Sequence, residues 1–480
     1  MMLYKIDKPF IFTVFGASGD LAKIKLFPAF YALAEQKRFP KDFWIIGYAR
    51  TKMTHREFRK EFRESVMSKH EDPVDEKILD ELLDHVHYFS GQYDDKKSFD
   101  AYAREIMKIS KGKKVTNITY LAVPPPVFTG VVENLAGIRH RIGEDLRLII
   151  EKPFGNDEKT ARELFHNVSI HFPANKVFLL DHYLGKEAVQ SILALRYANG
   201  ILNTLLSGPL IANIQITAFE DLSVANRIGY FDQVGIVKDM IQSHLLQLMA
   251  LLTMDLPVEQ KASSIHREKI AILSALKYRG YEKAMVLGQH QSYHSIPGVK
   301  KNSKTPTFAA VRCFIDRQDW YQVPIYIRTG KMLNKKHTYV VVEFKKHRFQ
   351  ISNKEIESNK LILELQPNEK IHLKLYTKVG GAGNEFHDLT TSESLACFGD
   401  DCLPEHGRLL LNVFQNDQSN FLTFEEIIAT WMFTDKLLAC CDSAKMKLIH
   451  YKDFSEGPKE QHQVTKNDDF EWFDVPLQKP

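Results

Sequence analysis

Cysteine is scarce in this chain of 480 residues. Its five, Cys313, Cys397, Cys402, Cys440 and Cys441, form no CxxC and have no histidines beside them at zinc-ligand spacing. Neither a metal centre nor a disulfide framework is therefore expected, and the odd, sparse thiol count fits a reducing compartment. The chain is read as cytoplasmic and as holding no metal. Excess charge of one sign is also missing, since 64 basic and 60 acidic side chains leave a net +4. Without a strong overall field no nucleic acid partner is expected, although a local basic pocket for a phosphate fits the balance. Long apolar runs are absent too, so no membrane partner is expected. The N-terminal MMLYKIDKPFIFTVFGASG faintly imitates a leader peptide, but the apolar stretch is short and ends in GASGD, which reads as a strand feeding a loop. There is no internal repeat and no low-complexity segment.

What the chain does have is alternation. IFTVFGA, FWIIGYA, VHYFSG, NITYLAV, RLIIEKPF and KVFLLDH are short apolar runs rich in β-branched and aromatic residues. Amphipathic stretches lie between them, such as HREFRKEFRESVMSK with Phe58, Phe62 and Val66 at helical spacing. Strand and helix in turn predict βαβ units and a parallel, doubly wound sheet. After about residue 190 the pattern changes. A long helical stretch, KDMIQSHLLQLMALLTM, precedes the strand candidates WYQVPIYIRTG, TYVVVEFKK, KLILELQP and KIHLKLYTK. The last three, read as joined by short turn-rich links, predict an antiparallel sheet. GRLLLNVFQ and FEEIIATWMFTDKLLACC read as helices, the second with Thr423 as N-cap. The polar tail after about 455 reads as irregular. The expectation is an α/β Rossmann domain over 1–185 and an α+β domain with a large antiparallel sheet over 186–480.

The first strand ends in GASGDLAKIKLF, where Gly16 and Gly19 permit a tight turn and a close approach of backbone N–H groups to a pyrophosphate. The third small position is Ala22, giving G-x-x-G-x-x-A in place of G-x-G-x-x-G. Gly16, Ala17, Ser18, Gly19, Asp20 and Leu21 are the candidate cofactor loop. After the second strand, FWIIGYARTK carries no acidic residue for a ribose hydroxyl; Arg50 and Lys52 stand there instead. A guanidinium fork matches a phosphate, so NADP is favoured over NAD.

Oxidising an alcohol by hydride transfer requires a base for the hydroxyl proton, and histidine suits neutral pH. His244, in KDMIQSHLLQLM, is the candidate base, and it needs an orienting carboxylate. Asp181, where the strand VFLL ends in DHYLGKE, is the candidate. Strand ends are where open α/β sheets bind ligands. Lys152, Lys186, Lys331 and Lys336 stand near strand ends and suit an anionic substrate, with a phosphate gripped by Lys186 and His182. Lys152 precedes Pro153, a candidate cis bond.

In this order, GASGDLAKIKLFPAFYAL, GYAR, ITYLAVPPPVF, RLIIEKPFG, DHYLGKE, GYFDQVGIVKDMIQSHLLQLM, PIYIRTGKMLNKK and NDQSNFLTFEEIIATWMFTDKLL resemble the signature motifs of glucose-6-phosphate dehydrogenase. The resemblance implies oxidation of glucose 6-phosphate to 6-phosphogluconolactone with NADP, at the entry to the pentose phosphate pathway. It also implies a homodimer or homotetramer built on the antiparallel sheet. Carried onto this chain, it makes His244 the base and Asp181 its orienting carboxylate. It assigns the phosphate to His182, Tyr183, Lys186 and Lys336, and the sugar hydroxyls to Glu220, Asp239 and Lys331. Lys152 would bridge substrate and cofactor, and Arg50 would meet the 2′-phosphate. The loop DLSVANRIGYFD, and Ser243 before the base, depart from the family pattern. Two other readings are an NADP-linked dehydrogenase of another sugar or sugar phosphate, and an NADP-binding sensor without turnover, which would not need a base.

Overall fold

The computed structural model describes residues 4–70, 72–278, 284–346, 356–381, 385–397, 399, 401–443 and 446–476. The chain packs as two compact units. One comprises Met1–Lys186, Lys261–Ser263 and Cys397–Ile427, the other Glu187–Gln260, Ser264–Ala396 and Ile428–Pro480.

In the first unit six strands, β1 (Phe10–Phe15), β2 (Phe43–Ala49), β3 (Val86–Ser90), β4 (Thr116–Leu121), β5 (Leu146–Glu151) and β6 (Val177–Leu180), form one sheet. Its order is β3-β2-β1-β4-β5-β6 and every pairing is parallel. This is the dinucleotide-fold order, as the alternating pattern predicted. Strands buried on both faces have no polar side to present, so β1, β4 and β6 are buried at every residue. The helix His55–Lys69 starts with a capping box between Thr54 and Glu57 and buries Phe58, Phe62 and Val66. Helix Glu405–Gln415 also belongs here, because Leu409, Leu410 and Val413 share the core of β1 and β2. The buried Arg147 of β5 donates to the carbonyls of Val413 and Phe414 at that helix's C-terminal end.

One expectation fails in this unit. Cys397 and Cys402 form a disulfide, with Cα atoms 5.6 Å apart. Two cysteines five residues apart close a small loop without any wider framework, so count and spacing did not reveal it. The same loop is tied down by the Asp401–Arg38 ion pair and by Gln36 Nε2 donating to the Cys402 carbonyl at 2.8 Å. Cys313 is buried, and burial pushes its thiol pKa up to about 12. The Cys441 side chain lies outside the described residues.

The second unit carries β7 (Ile211–Phe219), β8 (Leu276–Lys277), β9 (Met285–His290), β10 (Phe308–Ile315), β11 (Ile325–Gly330), β12 (His337–Phe344), β13 (Lys360–Gln366), β14 (Lys370–Lys378), β15 (Phe386–Ser394) and β16 (Ile449–Tyr451). Among the described residues they make one sheet, ordered β15-β14-β13-β12-β7-β11-β10-β9-β16, with β8 on β10. β12, β13 and β14 are antiparallel as expected. β7 with β11, and β9 with β16, are parallel, so the sheet is mixed. β12 ends at Phe344 and β13 begins at Lys360, so the link between them is longer than the short one expected, and most of it lies outside the described residues. The tail after 455 is not merely irregular either. It forms short helices at Lys459–His462 and Gln463–Lys466, and it buries Val464 and Trp472 against β10 and β11. The indole pairs with Arg328 at 4.3 Å, an aromatic anchor that polar composition had masked. The long helical stretch has two parts, a π-helix over Val237–Leu245 and an α-helix over Leu246–Thr253. Among the described residues no helix is long and apolar enough to cross a membrane.

Candidate active site

In the first unit the candidate cofactor loop follows β1. Gly16 has φ +88°, and a Cβ there would lie 2.2 Å from the Ala122 carbonyl oxygen, so only glycine lets the loop pass this close to the end of β4. Gly16 N donates to the Tyr48 carbonyl and Gly19 N to that of Gly16. Ala17 is buried, Ser18 and Leu21 are half-buried, and Gly19 and Asp20 are exposed, so the loop offers its outer edge to a ligand. Beyond β2, the Arg50 guanidinium sits 5.6 Å from the centre of the Tyr93 ring. Both line a cavity of about 250 Å³ with Gln92, Asp94, Pro126, Val127 and Gly130. Burial raises the Tyr93 phenol above its ordinary range, so it is a neutral wall at physiological pH. A glycine cradle at a helix start and an arginine beside a cavity suit a dinucleotide carrying an extra phosphate.

The ends of β5 and β6 carry the next groups. Lys152 follows β5, and its bond to Pro153 is cis. Glu151 beside it is held above the usual carboxylate range by burial, and its Oε2 accepts from the Tyr120 hydroxyl at 3.1 Å. Asp181 is 1% exposed, and its Oδ1 accepts from the backbone N–H of Tyr183 at 2.9 Å, capping the turn His182–Gly185. Lys186 Nζ lies 4.3 Å from the centre of the Tyr183 ring, and the His182 ring lies 5.1 Å from it. The structure thus gathers Asp181, His182, Tyr183 and Lys186 on one turn.

In the second unit Glu220 follows β7 and Lys331 follows β11, two adjacent parallel strands, so their side chains leave the sheet side by side. Lys331 Nζ is paired with Glu220 and lies 3.5 Å from Asp239 Oδ2. Arg227 completes the group, with Nη2 at 3.0 Å and Nη1 at 3.5 Å from the Asp239 carboxylate. The sequence reading missed Arg227. The available signal was a cation two residues before the GYFD motif, inside the loop that departs from the family pattern. Tyr230 of that motif is pushed up to about 12 by burial and then by the Asp239 charge. Two cations and two carboxylates this close offer donors and acceptors to a polyhydroxylated ligand. His244 is 1% exposed on the π-helix that also carries Asp239, and the Ser243 hydroxyl donates to the Asp239 carbonyl at 2.8 Å. Lys336 is exposed, and the structure does not bring it into the Glu220–Arg227–Asp239–Lys331 group.

The family model for the glucose-6-phosphate dehydrogenase NAD binding domain matches residues 13–191, and that for the C-terminal domain of the same enzyme matches residues 193–473. The chain belongs to the glucose-6-phosphate dehydrogenase family. Among curated glucose-6-phosphate dehydrogenases, that of Emericella nidulans is 34% identical over 97% of this chain and 93% of its own length. The enzyme of Dictyostelium discoideum is 34% identical over 94% of this chain and 93% of its own. A solved glucose-6-phosphate dehydrogenase in complex with its substrate glucose-6-phosphate superposes with a TM-score of 0.90 at 30% identity, covering 98% of this chain and all of that one. The expected fold class, a parallel Rossmann sheet followed by a large sheet domain, agrees with that of the glucose-6-phosphate dehydrogenases.

Proposed function

We infer that the chain oxidises D-glucose 6-phosphate to 6-phospho-D-glucono-1,5-lactone with reduction of NADP. The family match across both units carries this reading. When bound, NADP supplies the acceptor for the hydride from the anomeric carbon. The Gly16–Leu21 loop would hold its pyrophosphate and Arg50 its 2′-phosphate, with Lys152 reaching both cofactor and sugar.

The chain's own residues are assigned as follows. His182, Tyr183 and Lys186, with Lys336, hold the phosphate; a clamp at one end of the sugar fixes where its reacting end lies. Glu220, Asp239 and Lys331, joined by Arg227, hold the hydroxyls. The imidazole of His244 takes the proton of the anomeric hydroxyl as the hydride leaves. Asp181 is assigned to orient that imidazole and to stabilise its charged form, the role of the carboxylate in catalytic triads. Burial of Asp181 and His244 supports this assignment, since low dielectric strengthens an ion pair formed during turnover.

We further propose a homodimer or homotetramer joined through the sheet of the second unit, where β15 is exposed along nearly all its length and Leu389 is 45% exposed.

The test follows absorbance of the reduced nicotinamide with NADP and NAD, each with glucose 6-phosphate and with glucose. Turnover with NADP and the phosphate ester well above the other three combinations is expected. Equal turnover of glucose and its phosphate ester would instead favour a dehydrogenase of another sugar.

A further inference from the structure

The turn that carries the phosphate-binding groups does not stand alone. It rests on the N-terminal turn of helix Glu405–Gln415, within the same unit. A Cβ on Gly185 would lie 2.8 Å from Leu409 Cδ1 and 2.9 Å from the Glu405 carbonyl oxygen, so turn and helix touch with no space between them. Leu409 is fully buried, and Arg147 ties down the helix's far end, so the surface beneath the turn is fixed to the core. At this contact Arg408 Nε donates to the Gly185 carbonyl at 2.9 Å, while its Nη1 donates to the Leu403 carbonyl at 2.5 Å. Lys25 Nζ meets Glu405 Oε1 at 3.1 Å and closes the other side.

The Gly185 carbonyl belongs to the peptide plane that leads into Lys186. Its N–H side is tied inside the turn, where Lys186 N donates to the Tyr183 carbonyl at 3.1 Å, while its carbonyl side takes its donor from outside the turn. That donor, charged, forked and fixed on a rigid helix, constrains the plane. Asp181 secures the start of the turn through Tyr183 N, and Arg408 secures its end.

We propose that Arg408 is a positioning residue for the phosphate clamp: by holding the Gly185–Lys186 peptide it aims the Lys186 ammonium, and so sets the enzyme's preference for a phosphorylated over an unphosphorylated sugar. The proposal rests on the reading that Lys186 holds the phosphate. It adds a residue distant in sequence from the clamp, acting on it through the Gly185 carbonyl. The Glu405 carboxylate, next to the contact, is consistent with this arrangement. Burial would raise its pKa, but the His406 ring and the positive charges of His182 and Lys25 outweigh that and hold it below the usual carboxylate range.

The experiment compares Arg408→Ala, Arg408→Lys, Lys186→Ala and the double variant in the full-length enzyme. It measures kcat and KM for glucose 6-phosphate, KM for NADP, kcat/KM for glucose, and thermal midpoint. Arg408→Ala is expected to lower the ratio of kcat/KM for the phosphate ester to that for glucose by about tenfold, through KM, the scale of one charged hydrogen bond. Arg408→Lys keeps a charged donor and should recover part of the ratio. In the Lys186→Ala background the same change should lower the ratio little further, because the group it aims is gone. Should Arg408→Ala weaken both sugars alike, in step with a fall in thermal midpoint, the arginine is a packing residue and the positioning role is overturned. The conservative Arg408→Lys keeps the comparison available if the alanine variant does not fold. Loss of the ratio in Lys186→Ala but not in Arg408→Ala refutes the positioning role alone, whereas an intact ratio in Lys186→Ala removes the clamp assignment and this inference with it.

Discussion

Arg227 grips Asp239 through two guanidinium nitrogens across twelve residues of chain, although Asp239 is 1% exposed and already faces Lys331 at 3.5 Å. A buried carboxylate is costly unless its charge is met, and here two cations meet it. Arg227→Lys keeps the charge but loses the fork, so it is expected to raise KM for glucose 6-phosphate by about tenfold with a smaller effect on kcat. Steady-state kinetics decide this, and an unchanged KM would detach Arg227 from sugar binding.

His244→Asn removes the assigned base while keeping a similar volume. Its kcat is expected to fall by roughly 10²–10⁴-fold, with KM for the sugar within a few-fold of the parent. The opposite split, weak binding with normal turnover at saturation, is the result that contradicts the assignment.

Arg50→Ala should lower the ratio of kcat/KM with NADP to that with NAD by about tenfold or more, since the guanidinium is the proposed partner of the 2′-phosphate. If the ratio holds, another group reads that phosphate, and Lys52 in the same turn is the first to examine.

His87, on β3, has its pKa pulled from 6.5 down to about 4 by burial first and then by the charges of His55 and Arg59. Between these two values the unfolded chain takes up a proton that the folded chain refuses. This contribution is therefore complete above about pH 6.5 and is lost as pH falls toward 4. His87→Gln should flatten that part of the curve. Urea midpoints at about pH 7 and about pH 5 check it, and an equal drop in parent and variant would assign the acid sensitivity elsewhere.

The first sheet was legible because buried parallel strands are written as local apolar runs and their helices as amphipathic ones. The turn at Asp181–Lys186 was legible for the same reason, since neighbours in sequence are neighbours in space there. What escaped notice depended on distant returns of the chain. Arg227 acts through Asp239 only after the backbone bends at Gly235, with φ +69°. No local pattern announces that Arg408 packs under Gly185, or that Trp472, in a polar tail, meets Arg328. The 397–402 disulfide was missed because two cysteines in a turn carry no signature of their own.

The π-helix over Val237–Leu245 carries both Asp239 and His244, two residues assigned to the proposed sugar site. In an α-helix, residues five apart diverge by about 140° around the axis, which would turn a carboxylate at 239 and an imidazole at 244 toward different surroundings. Hydrogen bonds that skip to the fifth residue widen the turn and reduce that divergence. The wider coil thus turns positions 239 and 244 less far apart around the axis than an α-helix would, and a single-residue deletion restoring the ordinary pitch would undo that.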